Sequence, residues 1–162
     1  MKERLDKHVL KNGMVILGEP MEGVESVAFY FLVPAGASRM PDKCCGAPNI
    51  IEDWILRGAG DRNNREQNDA IDGLGILRNN SIGSSFISIG GSLESSNISN
   101  AIELYADIIN KPRLEDNEFE FSRQLAIDEL LSLEDDPRHK VMLKLRECFY
   151  PDPLGRSTLG EI

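Results

Sequence analysis

The segment from residue 46 to residue 57 constrains the fold more than any other part of the chain. Pro48 suits the first turn of a helix, where its missing N–H would have had no partner, and Gly58 and Gly60 supply a stop. Five large apolar residues between these limits cover most of the helix circumference: Ile50, Ile51, Trp54, Ile55 and Leu56. The segment therefore predicts a helix that is packed on several sides.

Three polar residues interrupt this apolar helix at one-turn spacing. Asn49, Glu52 and Asp53 stand at positions i, i+3 and i+4, so their side chains point from one stripe into the same small volume. The pattern Asn-x-x-Glu-Asp has the spacing of His-x-x-Glu-His, in which two imidazoles bind zinc and the glutamate acts as general base. Both imidazoles are absent here. This stripe is the candidate functional site.

Strand patterns occur on both sides of this helix. Residues 8–17 predict a hairpin, because Asn12-Gly13 tolerates the positive φ angles of a tight turn. Residues 24–33, rich in Val and Phe, form the strongest strand. Residues 76–82 and 84–93 alternate as paired strands do, with Gly83 at the turn between them.

The second half of the chain is mainly helical in pattern. We expect helices over residues 65–74, from Ser96 or Asn97 to 110, over 114–133, and from Asp136-Pro137 to about residue 149. The predicted buried residues of the 114–133 helix include Phe121, Leu125 and Ala126. Strands followed by a run of helices predict an α+β fold, a two-layer sandwich with helices packed on one face of a mixed, mostly antiparallel sheet.

The order of these motifs resembles the pitrilysin and insulinase family of inverted-motif zinc metallopeptidases, which includes the mitochondrial processing peptidases. The resemblance covers nearly the whole chain. It rests on Leu10-Lys11-Asn12-Gly13-Met14-Val15, on Val33 to Arg39, on Ala101 to Ile109 and on Pro153-Leu154-Gly155-Arg156. It implies the processing-peptidase-like form of the sandwich, with residues 1–162 as a single domain. This domain would be most of one peptidase-like lobe, truncated before the last helix and strand of that lobe.

The resemblance also assigns roles to residues. Asn49 and Asp53 occupy the places of the two zinc-binding histidines, and Glu52 occupies the place of the general base. The third ligand of the family is a glutamate on a later helix, and Glu129 lies 76 positions after Asp53 (129 − 53). Without imidazole nitrogens such a site loses its preference for zinc. We therefore expect a degenerate metal site at Asn49, Asp53 and Glu129, no bound cofactor, and an inactive relic base at Glu52.

The composition argues against several classes of binding partner and several cellular locations. A formal charge of −9 argues against nucleic acid and anionic membranes, which need clustered Lys and Arg. No apolar run approaches a membrane span, and residues 1–7 lack the apolar core of a signal peptide, so we predict a cytoplasmic protein. An odd number of cysteines does not suggest disulfides, and we interpret Cys44 and Cys45 as reduced side chains rather than metal or redox groups. His139 is predicted to be exposed and solvated.

Three functional hypotheses follow. The first is a pseudo-peptidase lobe, the non-catalytic half of a clamshell peptidase, whose partners are a peptide or protein substrate or a related metallopeptidase subunit in a hetero- or homo-oligomer. The second is a working metal-dependent endopeptidase, in which Asn49, Asp53 and Glu129 offer oxygen ligands to Mn²⁺ or Mg²⁺ and Glu52 activates water. The third is a purely structural, core-type subunit. The loss of both imidazoles favours the first and leans against an enzyme.

Overall fold

The computed structural model describes residues 5–44 and 46–160. The strands and helices are β1 (Asp6–Val9), β2 (Val15–Gly18), β3 (Ser26–Val33), α1 (Ala47–Trp54), β4 (Gly58–Ala59), β5 (Arg62–Asn63), α2 (Asn64–Gly73), β6 (Leu77–Arg78), β7 (Ser81–Ile82), β8 (Ile87–Glu94), α3 (Ile98–Asn110), α4 (Asp116–Ser132) and α5 (Pro137–Phe149). Cys45, one of the two cysteines interpreted above, lies outside the described residues.

The main sheet is built around β8. Strand β3 pairs with one edge of β8 over eight residues, from Ser26 opposite Glu94 to Val33 opposite Ile87. The short strands β6 and β7 pair with its other edge. Strands β1 and β2 form a separate hairpin, as do β4 and β5. All of these pairings are antiparallel, and the α+β class predicted from the sequence is confirmed.

Two glycines allow the strands beside β8 to approach closely. A Cβ atom on Gly90 would lie 2.0 Å from the carbonyl oxygen of Phe29 in β3, and one on Gly91 would lie 2.4 Å from that of Leu77 in β6. On the core face of the sheet, Tyr105 of α3 packs edge-on against Phe29 at 4.9 Å between ring centroids. Gly90 and Gly91 therefore allow β3 and β6 to lie close to the centre of the sheet.

The core lies between one face of this sheet and the helices. It is formed by Ala59, Ile71, Ile76, Ile87, Ile89, Leu93, Ala101, Leu104, Tyr105 and Ile108. Strand β3 turns Val27, Phe29, Phe31 and Val33 towards the core and leaves the alternate residues exposed. Since helices cover only that face, Tyr30 and Leu32 on the other face are 48% and 63% exposed.

The buried face of α4 differs from the prediction. Phe121 and Leu125 are 62% and 52% exposed, so their assignment to the core is wrong. The side of α4 that meets α1 instead carries Ser122, which is 1% exposed. The physical reason is that α1 presents charged groups to α4, and these groups need polar partners more than apolar ones.

Local signals explain where several elements begin. The Asn63 side chain accepts a hydrogen bond from the Glu66 N–H, and the Glu66 carboxylate accepts one from the Asn63 N–H, which forms a capping box at the start of α2. Asp136 caps α5 by accepting from the His139 N–H, with Pro137 as the first helical residue. Gly13 has φ +87° in the turn between β1 and β2. The predicted hairpin and last helix are thus present.

None of the helices formed by residues 5–44 and 46–160 is long and apolar enough to cross a lipid bilayer. The cytoplasmic location stays a prediction.

Candidate functional site

The candidate site lies where α1 packs against α4. We call it the α1–α4 seam and define it by Asn49, Glu52 and Asp53 from α1 and by Ser122 and Glu129 from α4. The three α1 residues come from the polar stripe that the sequence singles out. The structure brings them together with Glu129, the fourth predicted site residue, across 80 positions of sequence. The functional roles of these four residues stay predictions.

One end of the seam is closed by an amide–carboxylate hydrogen bond. Asn49 is 9% exposed, and its Nδ2 donates to Glu129 Oε2 at 2.9 Å. A hydrogen bond to a carboxylate is stronger than one between neutral groups, so this contact fixes both side chains. Asn49, at the position of the first family histidine, therefore already supplies a hydrogen-bond donor to Glu129.

The middle of the seam is held by Asp53. Its Oδ2 atom accepts hydrogen bonds from Ser122 Oγ at 2.5 Å and from Arg57 Nε at 2.6 Å. Both partners are largely buried, since the Arg57 side chain is 18% exposed and Ser122 is 1% exposed. The carboxylate at the position of the second family histidine is thus paired with a cation and a hydroxyl from the protein itself.

Arg57 continues this network to a second carboxylate. Its Nη1 donates to Glu118 Oε2 at 3.1 Å, and the same oxygen accepts from Asn64 Nδ2 at 2.9 Å. The guanidinium also lies 6.0 Å from the centroid of the Phe121 ring. A planar guanidinium suits such a site because it can serve two carboxylates at once. Arg57 therefore ties α1 to two points of α4.

Glu52 lies in a different electrostatic environment. Burial raises the pKa of this carboxyl above its ordinary value, and the nearby charges of Asp53 and Glu129 raise it further, although a hydrogen bond with the Asn80 side chain acts in the opposite direction. Among the described residues, Glu52 forms no ion pair. A carboxyl group with a raised pKa can hold or accept a proton nearer to neutral pH.

A cavity of about 290 Å³ opens over the seam. Asn49, Glu52 and Glu129 line it, together with Asn80, Ser81, Ile82, His139, Thr158 and Leu159. His139 is exposed, as predicted, and it lines this cavity. Besides the seam residues, the lining comes from the β6–β7 connection, β7, α5 and the C-terminal loop, whose meeting point depends on the tertiary fold.

The donor groups of the seam do not fit a tetrahedral zinc ion. They are carboxylate and amide groups, whereas zinc in peptidase sites is bound largely by imidazole nitrogen. The Arg57 cation, 2.6 Å from Asp53, would also repel a metal bound there. Within the described part of the chain, no three His, Cys, Asp or Glu side chains are arranged so that they could hold a metal ion.

Residues 16–161 match the model of the insulinase family, peptidase family M16. The chain belongs to this family. The match covers most of the chain and confirms the resemblance based on its motifs. The insulinase-family lobe described here spans about 39% of the length of the Rickettsia curated relatives that it matches.

The relatives include proteins with and without a stated activity. A protein of Rickettsia felis named an uncharacterized zinc protease is 26% identical over 161 residues, which are 99% of this chain and 39% of the relative. The solved structure of a protease from Helicobacter pylori superposes with a TM-score of 0.86 at 17% identity, over 98% of this chain and 39% of that one. A peptidase M16 inactive domain from Pseudomonas fluorescens gives 0.80 at 14% identity, over 97% and 39%.

These relatives correct one expectation drawn from the sequence. We expected no cofactor, but the Rickettsia felis relative is named a zinc protease and the matched family is one of peptidases. The expectation is therefore wrong, and zinc is the cofactor to be considered for proteins of this family. The physical reason for the error is that the expectation rested on the side chains of four positions, which do not determine the cofactor that the family uses.

Proposed function

We propose that this chain is a non-catalytic lobe of an insulinase-family peptidase and that it works with a second lobe that carries the zinc. One observation carries the proposal. The two positions that would hold imidazoles are engaged within the protein, Asn49 with Glu129 and Asp53 with Arg57 and Ser122. Side chains paired in this way stabilise the seam instead of binding a catalytic metal.

The lengths of the relatives support a second lobe. The chain matches 39% of the Rickettsia felis relative, so 61% (100 − 39) of that protein lies outside the match. This remainder is large enough for another lobe of similar size. In the proposed arrangement, a zinc ion held by the second lobe would supply the activated water. The present lobe contributes the wall and the acidic cavity at Glu52 and Glu129, which face the peptide.

Hydrolysis of peptides tests the proposal. We expect the purified chain, with zinc added, to cleave a mixture of fluorogenic peptides no faster than its Glu52→Gln variant, because no water is activated at Glu52. The matched control is Glu66→Gln, which changes an exposed carboxyl in the first turn of α2 and keeps a side chain that can complete the capping box. Cleavage that is abolished both by a chelator and by Glu52→Gln, but not by Glu66→Gln, would contradict the proposal.

A second candidate is an active endopeptidase with oxygen ligands. The observation that favours it is the common cavity of Glu52, Glu129 and His139. The same peptide assay with Mn²⁺ or Mg²⁺ in place of zinc separates the two candidates. Activity that needs Mn²⁺ and disappears in Glu129→Gln supports this one.

A further inference from the structure

The turn between β1 and β2 contains the only asparagine of the sequence that is followed by glycine, Asn12-Gly13. The main-chain nitrogen of a residue can attack the side-chain amide of an asparagine before it, and a glycine favours this reaction because no Cβ shields its nitrogen. Gly13 has φ +87°, and a Cβ built on it would have nothing within 4 Å. The space beside the Gly13 main chain is therefore open.

One hydrogen bond of the turn prepares the Asn12 side chain for this attack. The Met14 N–H donates to Asn12 Oδ1 at 3.1 Å. Addition of a nitrogen to the amide carbon places negative charge on this oxygen, and a hydrogen-bond donor that already points at the oxygen stabilises the charge. The fold of the turn thus supplies a donor to the atom that becomes an oxyanion.

A second hydrogen bond must open before the attack. The Gly13 N–H donates to the Leu10 carbonyl oxygen at 2.9 Å. The hairpin forms a separate two-stranded sheet, and every residue of β1 and β2 is exposed. Such a hairpin is only marginally stable in water, so its hydrogen bonds open locally at a low cost in free energy. The Gly13 nitrogen therefore becomes available far more often than the core unfolds.

We propose that Asn12 is a site of spontaneous modification, at which the side-chain amide is converted to a carboxylate through a cyclic imide. The Gly13 nitrogen gives its proton to solvent and forms a bond to Asn12 Cγ. The bond between Cγ and Nδ2 then breaks, and Nδ2 leaves as ammonia. One water molecule opens the resulting succinimide at either carbonyl carbon, which gives aspartate or isoaspartate at position 12.

Both products change the hairpin. Either one adds a negative charge to the exposed turn, which takes the formal charge of the chain from −9 to −10 (−9 − 1). Isoaspartate also carries the main chain through its side-chain carbon and so adds one atom to the turn. Because the turn sets the register that begins with Val9 opposite Val15, this product disrupts the pairing of β1 with β2. The main sheet, which the hairpin does not join, stays intact.

Peptide mass spectrometry of the purified chain, incubated at pH 6 and at pH 8, tests the proposal. The internal controls are Asn80, whose Oδ1 accepts from the Gly90 N–H, and Asn117, which is exposed in the first turn of α4. We expect Asn12 to be converted at least about tenfold faster than either control, because neither is followed by glycine. Conversion should be faster at pH 8, since the attacking nitrogen must lose its proton. Chromatography separates the aspartate and isoaspartate peptides, which have equal masses.

Two variants complete the test. Gly13→Ala places a Cβ beside the attacking nitrogen at a strained φ, so we expect conversion to slow about tenfold even though the hairpin opens more often. Asn12→Asp reproduces one product and serves as the chromatographic standard. The melting temperature of each variant shows that the lobe is still folded.

Three results would overturn the inference. The first is an unchanged mass at position 12 after incubation at pH 8. The second is conversion of Asn80 or Asn117 at the rate of Asn12, which would remove any special property of the turn. The third is faster conversion in Gly13→Ala, because access to the Gly13 nitrogen would then not control the reaction. None of these decides the proposed function, which is tested separately by the hydrolysis assay.

Discussion

Replacing Arg57 by methionine tests whether the seam is a stabilising network. Arg57 donates to Asp53 at 2.6 Å and to Glu118 at 3.1 Å, and its side chain is 18% exposed. Methionine keeps most of the aliphatic volume and removes the charge. The two carboxylates then lose their shared cation and retain only the Ser122 hydroxyl and the Asn64 amide as partners. We expect Arg57→Met to be destabilising.

The expected loss in the free energy of unfolding lies between the values for surface and buried ion pairs. Exposed pairs contribute at most about 1 kcal/mol, and breaking a buried pair costs about 3–5 kcal/mol. Asp53 and Glu118 are 34% and 17% exposed at their side chains, so the pair is intermediate. We expect a loss of about 2 kcal/mol in the free energy of unfolding. In a chain of this size that corresponds to a fall of roughly 4–8 °C in melting temperature.

Urea unfolding followed by the fluorescence of Trp54 measures this loss where it occurs. Trp54 is the only tryptophan, and it packs against Phe119 at 4.9 Å, so its signal reports on the α1–α4 contact. The matched control is Arg65→Met, because Arg65 is 91% exposed and 3.9 Å from Asp69. We expect the control to change stability by less than about 0.5 kcal/mol. An equally small change for Arg57→Met would refute the reasoning.

Three further predictions can be checked by the same urea titration. Burial raises the folded pKa of Glu52 above its ordinary value of 4.5, and the charges of Asp53 and Glu129 raise it further. The contribution of this group to the free energy of unfolding is therefore present below that value and is lost as the pH rises through the folded pKa. Glu52→Gln should therefore match the wild type at pH 4 and exceed it in stability at pH 7; a less stable variant at pH 7 would contradict this. Gly90→Ala should lower the free energy of unfolding by about 3 kcal/mol or more, because its Cβ would lie 2.0 Å from the Phe29 carbonyl oxygen. The control Gly73→Ala, whose Cβ would have nothing within 4 Å, should be neutral or stabilising by up to about 1 kcal/mol. Similar costs at the two glycines would be inconsistent with the close approach of β3 and β8. Asn63→Ala removes the capping box of α2 and should lower the free energy of unfolding by about 1 kcal/mol. An unchanged free energy of unfolding would contradict this prediction.

The elements that sequence alone predicts are those set by local chemistry. The β1–β2 turn, β3 and the starts of α2 and α5 follow from Gly13, an uninterrupted run of β-formers, Asn63 and Asp136, each of which acts within a few residues. Such signals are independent of the rest of the fold. They were therefore sufficient to place most of the boundaries.

Only part of the site can be predicted from the sequence, because its residues depend on partners that lie far away along the chain. The polar stripe of α1 is visible in its spacing, and the resemblance indicates Glu129. Arg57 gives no such signal, because one arginine near the end of a helix is compatible with many environments. The apolar spacing of α4 even points to the wrong face, since Phe121 is exposed and Ser122 is buried. What selects Ser122 is the Asp53 carboxylate on another helix, which accepts a hydrogen bond from the Ser122 hydroxyl.

The separation of the seam partners in sequence also affects the order in which the chain can fold during synthesis. Asp53 and Glu129 are 76 residues apart (129 − 53), which a ribosome adds in roughly 4–15 s at the usual rate. An eight-residue helix such as α1 is not stable by itself in water. For those seconds Trp54 lacks Phe119 and the Glu115 carbonyl, its partners in the finished fold. The segment that the sequence marks most clearly is therefore among the last to become ordered, and until then it offers an apolar surface to chaperones.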